Sequence, residues 1–113
     1  MKHISKSQSQ NHQNGLSCVV FEYGSNGEID GSVAEINGRY PESGWSMNTI
    51  SHLEFFVISG RGTLTTAEKT VELKSEDVVI INPNESYYYV GNHLRIFMAS
   101  TPPWSPEQYA THA

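Results

Sequence analysis

One cysteine stands among 113 residues, Cys18 in the apolar run CVVFEY. A single thiol cannot form a disulfide within the chain, and a buried strand cysteine is its expected role. Cations are scarce: seven Lys and Arg against twelve Asp and Glu leave a net charge of −5. Nucleic-acid binding needs a basic patch. The basic residues that come closest together, such as Lys69 and Lys74, are spread between acids, so no nucleic-acid partner is expected. No run approaches the roughly 18 apolar residues of a membrane span. The opening MKHISKSQSQNHQNG lacks the apolar stretch of a signal peptide. A soluble, cytoplasmic protein without a membrane partner is the expectation. Sustained helical periodicity is missing before residue 105.

What is present is a series of short apolar runs cut by turns. The length suits one domain. Residues 1–14 are polar, rich in Ser, Gln and Asn, and are expected to be a flexible segment or to order only against a partner subunit. Residues 15–113 form the folded domain. Its runs are LSCVVFEY, SVAEIN, MNTI, LEFFVIS, TLTT, TVEL, VVII, SYYYV and LRIFMAS. GSNGEIDG, GRYPESG, GRG, AEK, KSED, NPNE and GNH lie between them as turns or joints. Strands at this spacing predict an antiparallel sandwich or barrel. The tail TPPWSPEQYATHA differs, because consecutive prolines cannot sit in a central strand. It predicts a short helix or latch, with Ser105 as N-cap, Pro106 at the first helical position and Gln108 completing a capping box. Trp104 is expected to pack this tail onto the barrel; a ligand-facing Trp104 is the alternative.

FFVISGRG followed by EDVVIINPNESYYYVGN resembles the cupin superfamily, over about residues 33–104. The pieces GRYPESG and TPPWSPEQY are also similar to small single-domain bacterial cupins. The resemblance implies an all-β, cupin-type jelly-roll barrel, a double-stranded β-helix. In that family two histidines and a glutamate of a first motif, with a histidine of a second, usually hold one metal. With the strand-ending glycine at Gly60, the glutamate position falls on Leu53. The histidine positions fall on Met47 and Thr49, or on Ser46 and Asn48. In the second motif the first glycine is Glu76, the Pro-x-Gly is Asn82-Pro83-Asn84, and the histidine is Tyr87. None of these is the family's ligand, and leucine and methionine suit neither Zn²⁺ nor Fe²⁺. The expectation is no metal and no cofactor. One alternative is a β-bulge that shifts the phase and turns His52 and Glu54 inward together. Two ligands still fall short of three, and His93, a third candidate, lies in a turn.

A barrel without metal is still a cup. Strand alternation points Tyr87 and Tyr89 inward and Tyr88 outward. Beside Asn48, Leu53, Phe55 and Val57 they would make a mostly apolar pocket with a few polar groups; the alternative is that they fill the barrel. Arg95 would clamp an anion if its face of LRIFMAS lines the cup, and is a surface cation otherwise. Arg39, Tyr40 and Glu42 of GRYPE are rim candidates, or a turn whose Tyr40 covers a sheet edge. Trp45 is expected to pack. Bulky apolar groups on both faces of LEFFVIS and SYYYV predict a homodimer, with Phe56, Ile58 and Tyr88 partly buried between subunits.

The leading functional expectation is a metal-free barrel that binds a small organic molecule through Tyr87, Tyr89, Asn48, Leu53, Phe55 and Arg95. A metal-independent isomerase, epimerase or cyclase, with Tyr87, Glu54 and His52 as acid/base candidates, is the alternative. A filled-barrel structural protein is the third reading, and a metal-dependent dioxygenase the last.

Overall fold

Alternation of apolar and polar residues with period two dominates the chain, and nine strands result. A computed structural model describes all residues, 1–113. In chain order the strands are β1 (Gln10–Asn14), β2 (Cys18–Ser25), β3 (Asp30–Tyr40), β4 (Trp45–Asn48), β5 (His52–Thr66), β6 (Thr70–Leu73), β7 (Val78–Ile81), β8 (Tyr87–Thr101) and β9 (Tyr109–His112). They run in the order β1-β2-β3-β8-β4-β9, with β5 pairing β6, β7 and β8. Every pairing is antiparallel. The sheet curls into a jelly-roll barrel around a core that includes Ile36, Leu53, Phe55, Val57, Leu64, Leu94 and Ile96.

The two longest strands depart from the expected layout. GRG and GNH do not turn the chain; they are kinks inside β5 and β8. His52 to Thr66 pairs with Thr101 to Tyr87 along its length, with register shifts between Val57 and Arg61. Gly60 has φ 77° and His93 has φ 51°, and a Cβ on Gly60 would lie 1.9 Å from the His93 carbonyl oxygen. The backbones therefore touch where both strands bend, and only glycine fits there. The extra residue in each strand also swaps its facing. Leu53, Phe55 and Val57 are buried before the bend in β5, and Leu64 after it; Tyr87 and Tyr89 before the bend in β8, and Leu94 and Ile96 after it.

The termini differ from a plain reading of their residues. The polar segment 1–14 contains β1, a strand held to β2 by backbone pairing, with only Asn14 partly covered. The tail is a latch: a 3₁₀ turn at Pro106–Gln108 whose Ser105 makes no side-chain cap, followed by β9 paired to β4. Gln108 points inward instead of closing a capping box. Its Oε1 accepts from the N–H groups of Ile50 (3.2 Å) and Ser51 (2.7 Å), and its Nε2 donates to Ser51 Oγ (2.9 Å). This buried amide supplies the acceptor that the Ile50 and Ser51 N–H groups lack, while the Thr49 N–H pairs with the Gln108 carbonyl.

On the outer face, Phe56, Ile58, Val78, Ile80 and Phe97 are exposed, with Phe56 opposite both Val78 and Phe97. Tyr88 is covered within its own chain: the Arg39 guanidinium lies 3.9 Å from its ring centre and Trp45 packs edge-on at 5.1 Å. Arg39 also donates to the carbonyls of Pro41 and Gly44, and Glu42 accepts from the Leu16 N–H. These three stiffen the loop after β3 and leave Tyr40 to turn into the barrel. No helix is long and apolar enough to cross a membrane.

Candidate functional site

The barrel is not filled. It holds a cavity of about 320 Å³ walled by residues from β2, β3, β4, β5 and β8 and by the latch. Apolar walls come from Val20, Ala34, Ile36, Leu53, Ile96 and Met98. Five aromatics face it: Tyr40, Tyr87, Tyr89, Trp104 and Tyr109. Two carboxylates, Glu22 and Asp30, line it, and no Lys, Arg or His does.

Strand parity places Tyr87 and Tyr89 inward from β8, 5% and 3% exposed. Their rings meet edge-on at 5.5 Å, and Phe55 stands behind both at 6.2 and 5.5 Å. Phe55 therefore backs the tyrosines and does not itself line the cavity. Asn48 is buried on β4 and is held at both ends of its amide. Its Nδ2 donates to Tyr87 Oη (3.2 Å), and its Oδ1 accepts from Trp104 Nε1 (2.8 Å). The Trp104 backbone N–H in turn donates to Asp30 Oδ2 (2.9 Å). A chain of hydrogen bonds thus runs from a phenol through the latch to a carboxylate. Beside it, where Tyr109 packs edge-on against Trp104, Tyr109 Oη pairs with Ser46 Oγ (2.6 Å) and Tyr40 Oη (3.3 Å). Trp104 meets both expectations at once: it pins the tail and it faces the cavity.

Two phenols keep unused hydrogen-bonding capacity. Tyr87 Oη only accepts from Asn48, so its own proton has no protein acceptor. Tyr89 Oη is buried and has no protein partner at all. Burial pushes the Tyr87, Tyr89 and Tyr40 hydroxyls well above the usual phenol range, reinforced by neighbouring phenols. They stay protonated and serve as donors. Burial likewise pushes the Cys18 thiol up to about 12, so it is an inert wall residue. Asp30 is shifted upward, first by burial and also by the Glu22 charge, against the lowering pull of the Trp104 N–H and the Ser100 hydroxyl. Neither acid was singled out from the sequence: Glu22 lies in the strand-like run LSCVVFEY, and Asp30 in GSNGEIDG, which reads only as a turn.

Four candidate site residues lie elsewhere. Arg95 points outward and its Nη1 donates to Glu35 Oε2 at 3.0 Å; the kink before Leu94 sets that facing. His52 and Glu54 are exposed and flank a shallow outer depression with Ile29 and Ile80. The bulge that would have turned them inward lies beyond Val57, too late to change their phase. His93 is exposed at the kink. At the family's metal-ligand positions, Ser46, Asn48, Leu53 and Tyr87 are buried side by side in the wall, and no three His, Cys, Asp or Glu groups converge anywhere. These residues do not fit a metal ion. The motif placement itself stands on the backbone. Glu76 and Asn84, where the family has glycine, adopt φ 71° and 68°, the conformation that glycine favours.

No protein-family model matches the chain, and no curated protein does. Solved structures do. A histidine-to-glutamine variant of Streptomyces PAC13 with uridine superposes with a TM-score of 0.88 at 14% identity, over 100% of this chain and 92% of that one. A structure described as Pac13, a unique nucleoside dehydratase, gives 0.86 at 15%, over 99% and 91%. An RmlC-like cupin from Shewanella frigidimarina gives 0.74 at 14%, over 95% and 96%. Identity this low speaks to architecture alone: the chain has the cupin fold, a jelly-roll β-barrel with an open interior.

Proposed function

We propose that the protein binds a small, uncharged organic molecule of nucleoside size inside its barrel, without a metal ion. The observation that carries this reading is the cavity of about 320 Å³ lined in part by Tyr89, whose buried hydroxyl no protein group satisfies. Leaving a buried polar group unpaired costs about 1–3 kcal/mol, and a ligand acceptor recovers it. The volume lies at the small end of the roughly 300–1,000 Å³ range of small-molecule sites, and the apolar wall with few polar groups is typical of them. The similar barrels described with uridine support a ligand of this size. The test is calorimetric titration with uridine, other nucleosides and free sugars, on wild type and Tyr89→Phe. Saturable binding weakened in the variant supports the proposal. No saturable binding by any of them to folded wild type overturns it.

One observation favours catalysis as a second reading. Asp30, its carboxyl raised by burial, shares the cavity with phenols that keep their protons. Such a pair can take a proton beside a ligand carbonyl while a phenol donates to the carbonyl oxygen, as an isomerase or epimerase requires. Glu54 and His52 lie outside the cavity and have no part in it. Solvent deuterium appearing at a ligand carbon by NMR, and lost in Asp30→Asn, is the outcome this reading requires.

For assembly, we propose a homodimer through the exposed face of Phe56, Ile58, Val78, Ile80 and Phe97. Light scattering that gives a monomer at micromolar concentration removes it.

A further inference from the structure

The cavity's charge is one-sided. Glu22 on β2 and Asp30 on β3 line it near Ser25, Ser32 and Ser100, while Tyr40, Tyr87, Tyr89 and Tyr109 supply the phenols. Arg95, the cation that was expected to balance an anionic ligand, is outside and paired with Glu35. Lys2, the cation held at this rim, donates to the Ser25 carbonyl (3.1 Å) and does not line the cavity. His12 of β1, opposite Val20 and on the same sheet face, lies 3.2 Å from Glu22 but does not line the cavity. Asp30 is faced by the Trp104 N–H from the latch, the Ser100 hydroxyl from β8 and the Glu22 charge from β2.

We infer that the cavity selects its ligand by charge: Glu22 and Asp30 exclude phosphorylated or carboxylated molecules, Asp30 accepts a hydroxyl of the ligand, and Tyr87 and Tyr89 donate to its carbonyl oxygen. This rests on the nucleoside-sized reading above and adds the chemical form of the ligand. A carboxylate offers about four lone-pair directions, and the Trp104 N–H and the Ser100 hydroxyl leave at least one for a ligand. Tyr87 and Tyr89 each have a free proton to give. Two donors facing a carbonyl, and a carboxylate facing hydroxyls, match a carbonyl-bearing ring on a polyol. A 5′-phosphate would bring like charge beside two carboxylates in a cavity whose lining includes no Lys, Arg or His to offset the repulsion.

The experiment compares uridine with uridine 5′-monophosphate by calorimetry. Wild type, Glu22→Gln, Asp30→Asn and the double variant are titrated. The expected result is uridine binding at least about thirty-fold tighter than the phosphate in wild type, with the ratio falling toward unity in the double variant. Equal affinities in wild type, or a ratio unmoved by the double substitution, overturn the charge selection while the binding reading stands. Absence of binding by both ligands to folded wild type overturns the charge selection, and the binding reading falls with it only if the other nucleosides and free sugars also fail to bind. Asp30→Asn should also weaken uridine itself, and unchanged uridine affinity removes Asp30 as the hydroxyl acceptor.

Discussion

Replacing Tyr89 with phenylalanine should make the free protein more stable and a worse binder. The hydroxyl is buried, and no protein group pairs with it. The ring meets Phe55 and Tyr87 edge-on at 5.5 Å each, contacts that phenylalanine keeps. An unpaired buried polar group costs about 1–3 kcal/mol, so Tyr89→Phe should gain about 1 kcal/mol. For a domain of 113 residues that is a rise of about 4 °C in Tm. Tyr87→Phe is the control with the opposite sign. It removes the acceptor of Asn48 Nδ2 and should lose about 1 kcal/mol. Urea denaturation and thermal melts of the three proteins, followed by circular dichroism, measure both shifts. Uridine titration should show about ten-fold weaker binding to Tyr89→Phe, the loss of one hydrogen bond to a buried donor. If Tyr89→Phe is destabilised as much as Tyr87→Phe, the Tyr89 hydroxyl is satisfied in the free protein and is not held in reserve for a ligand.

Other changes test the frame around the cavity. Gly60→Ala places a methyl against the His93 carbonyl at a φ of 77° and should cost more than about 2 kcal/mol. Gly24→Ala, at φ 92° with nothing nearby, carries the backbone strain without the collision and should cost less in the same melts. Gln108→Ala leaves the Ile50 and Ser51 N–H groups without their acceptor, a loss of about 2–4 kcal/mol that a urea midpoint reports. Asp30 is raised in the folded state, so its ionisation opposes folding. Its contribution is most favourable below about pH 4 and declines as pH rises through the folded value. Asp30→Asn, which keeps an acceptor for Trp104, should therefore melt above wild type at pH 7, with the gap closing at acid pH.

The fold was legible because short strand-like runs recur between turn residues, with side chains alternating in facing along each run. The inward facing of Tyr87, Tyr89, Leu53 and Phe55 followed from that alternation. Arg95 did not, because the bulge between Gly91 and Leu94 changes the phase and both faces of LRIFMAS carry apolar bulk. Nothing local announces such a bulge; it is set by the partner strand. Asp30 was missed for a related reason. It opens a strand after a turn, where acids are ordinary, and only the return of Trp104 from the far end of the chain gives it an environment. Gln108 read as a cap because its neighbours Ser105 and Pro106 fit a helix start, yet the N–H groups of Ile50 and Ser51 claim its side chain.

The latch joins ligand chemistry to local opening of the chain. Trp104 contributes its indole to the interior and its backbone to Asp30, and four residues later Gln108 clasps the amides of Ile50 and Ser51. Detaching this one stretch would unlock the cup and bare those two amides together. A guest resting on the indole must then slow hydrogen exchange at Ile50 and Ser51, although it touches neither. Those amides are therefore a gauge of occupancy: hydrogen exchange at Ile50 and Ser51 should slow as a guest saturates the cavity.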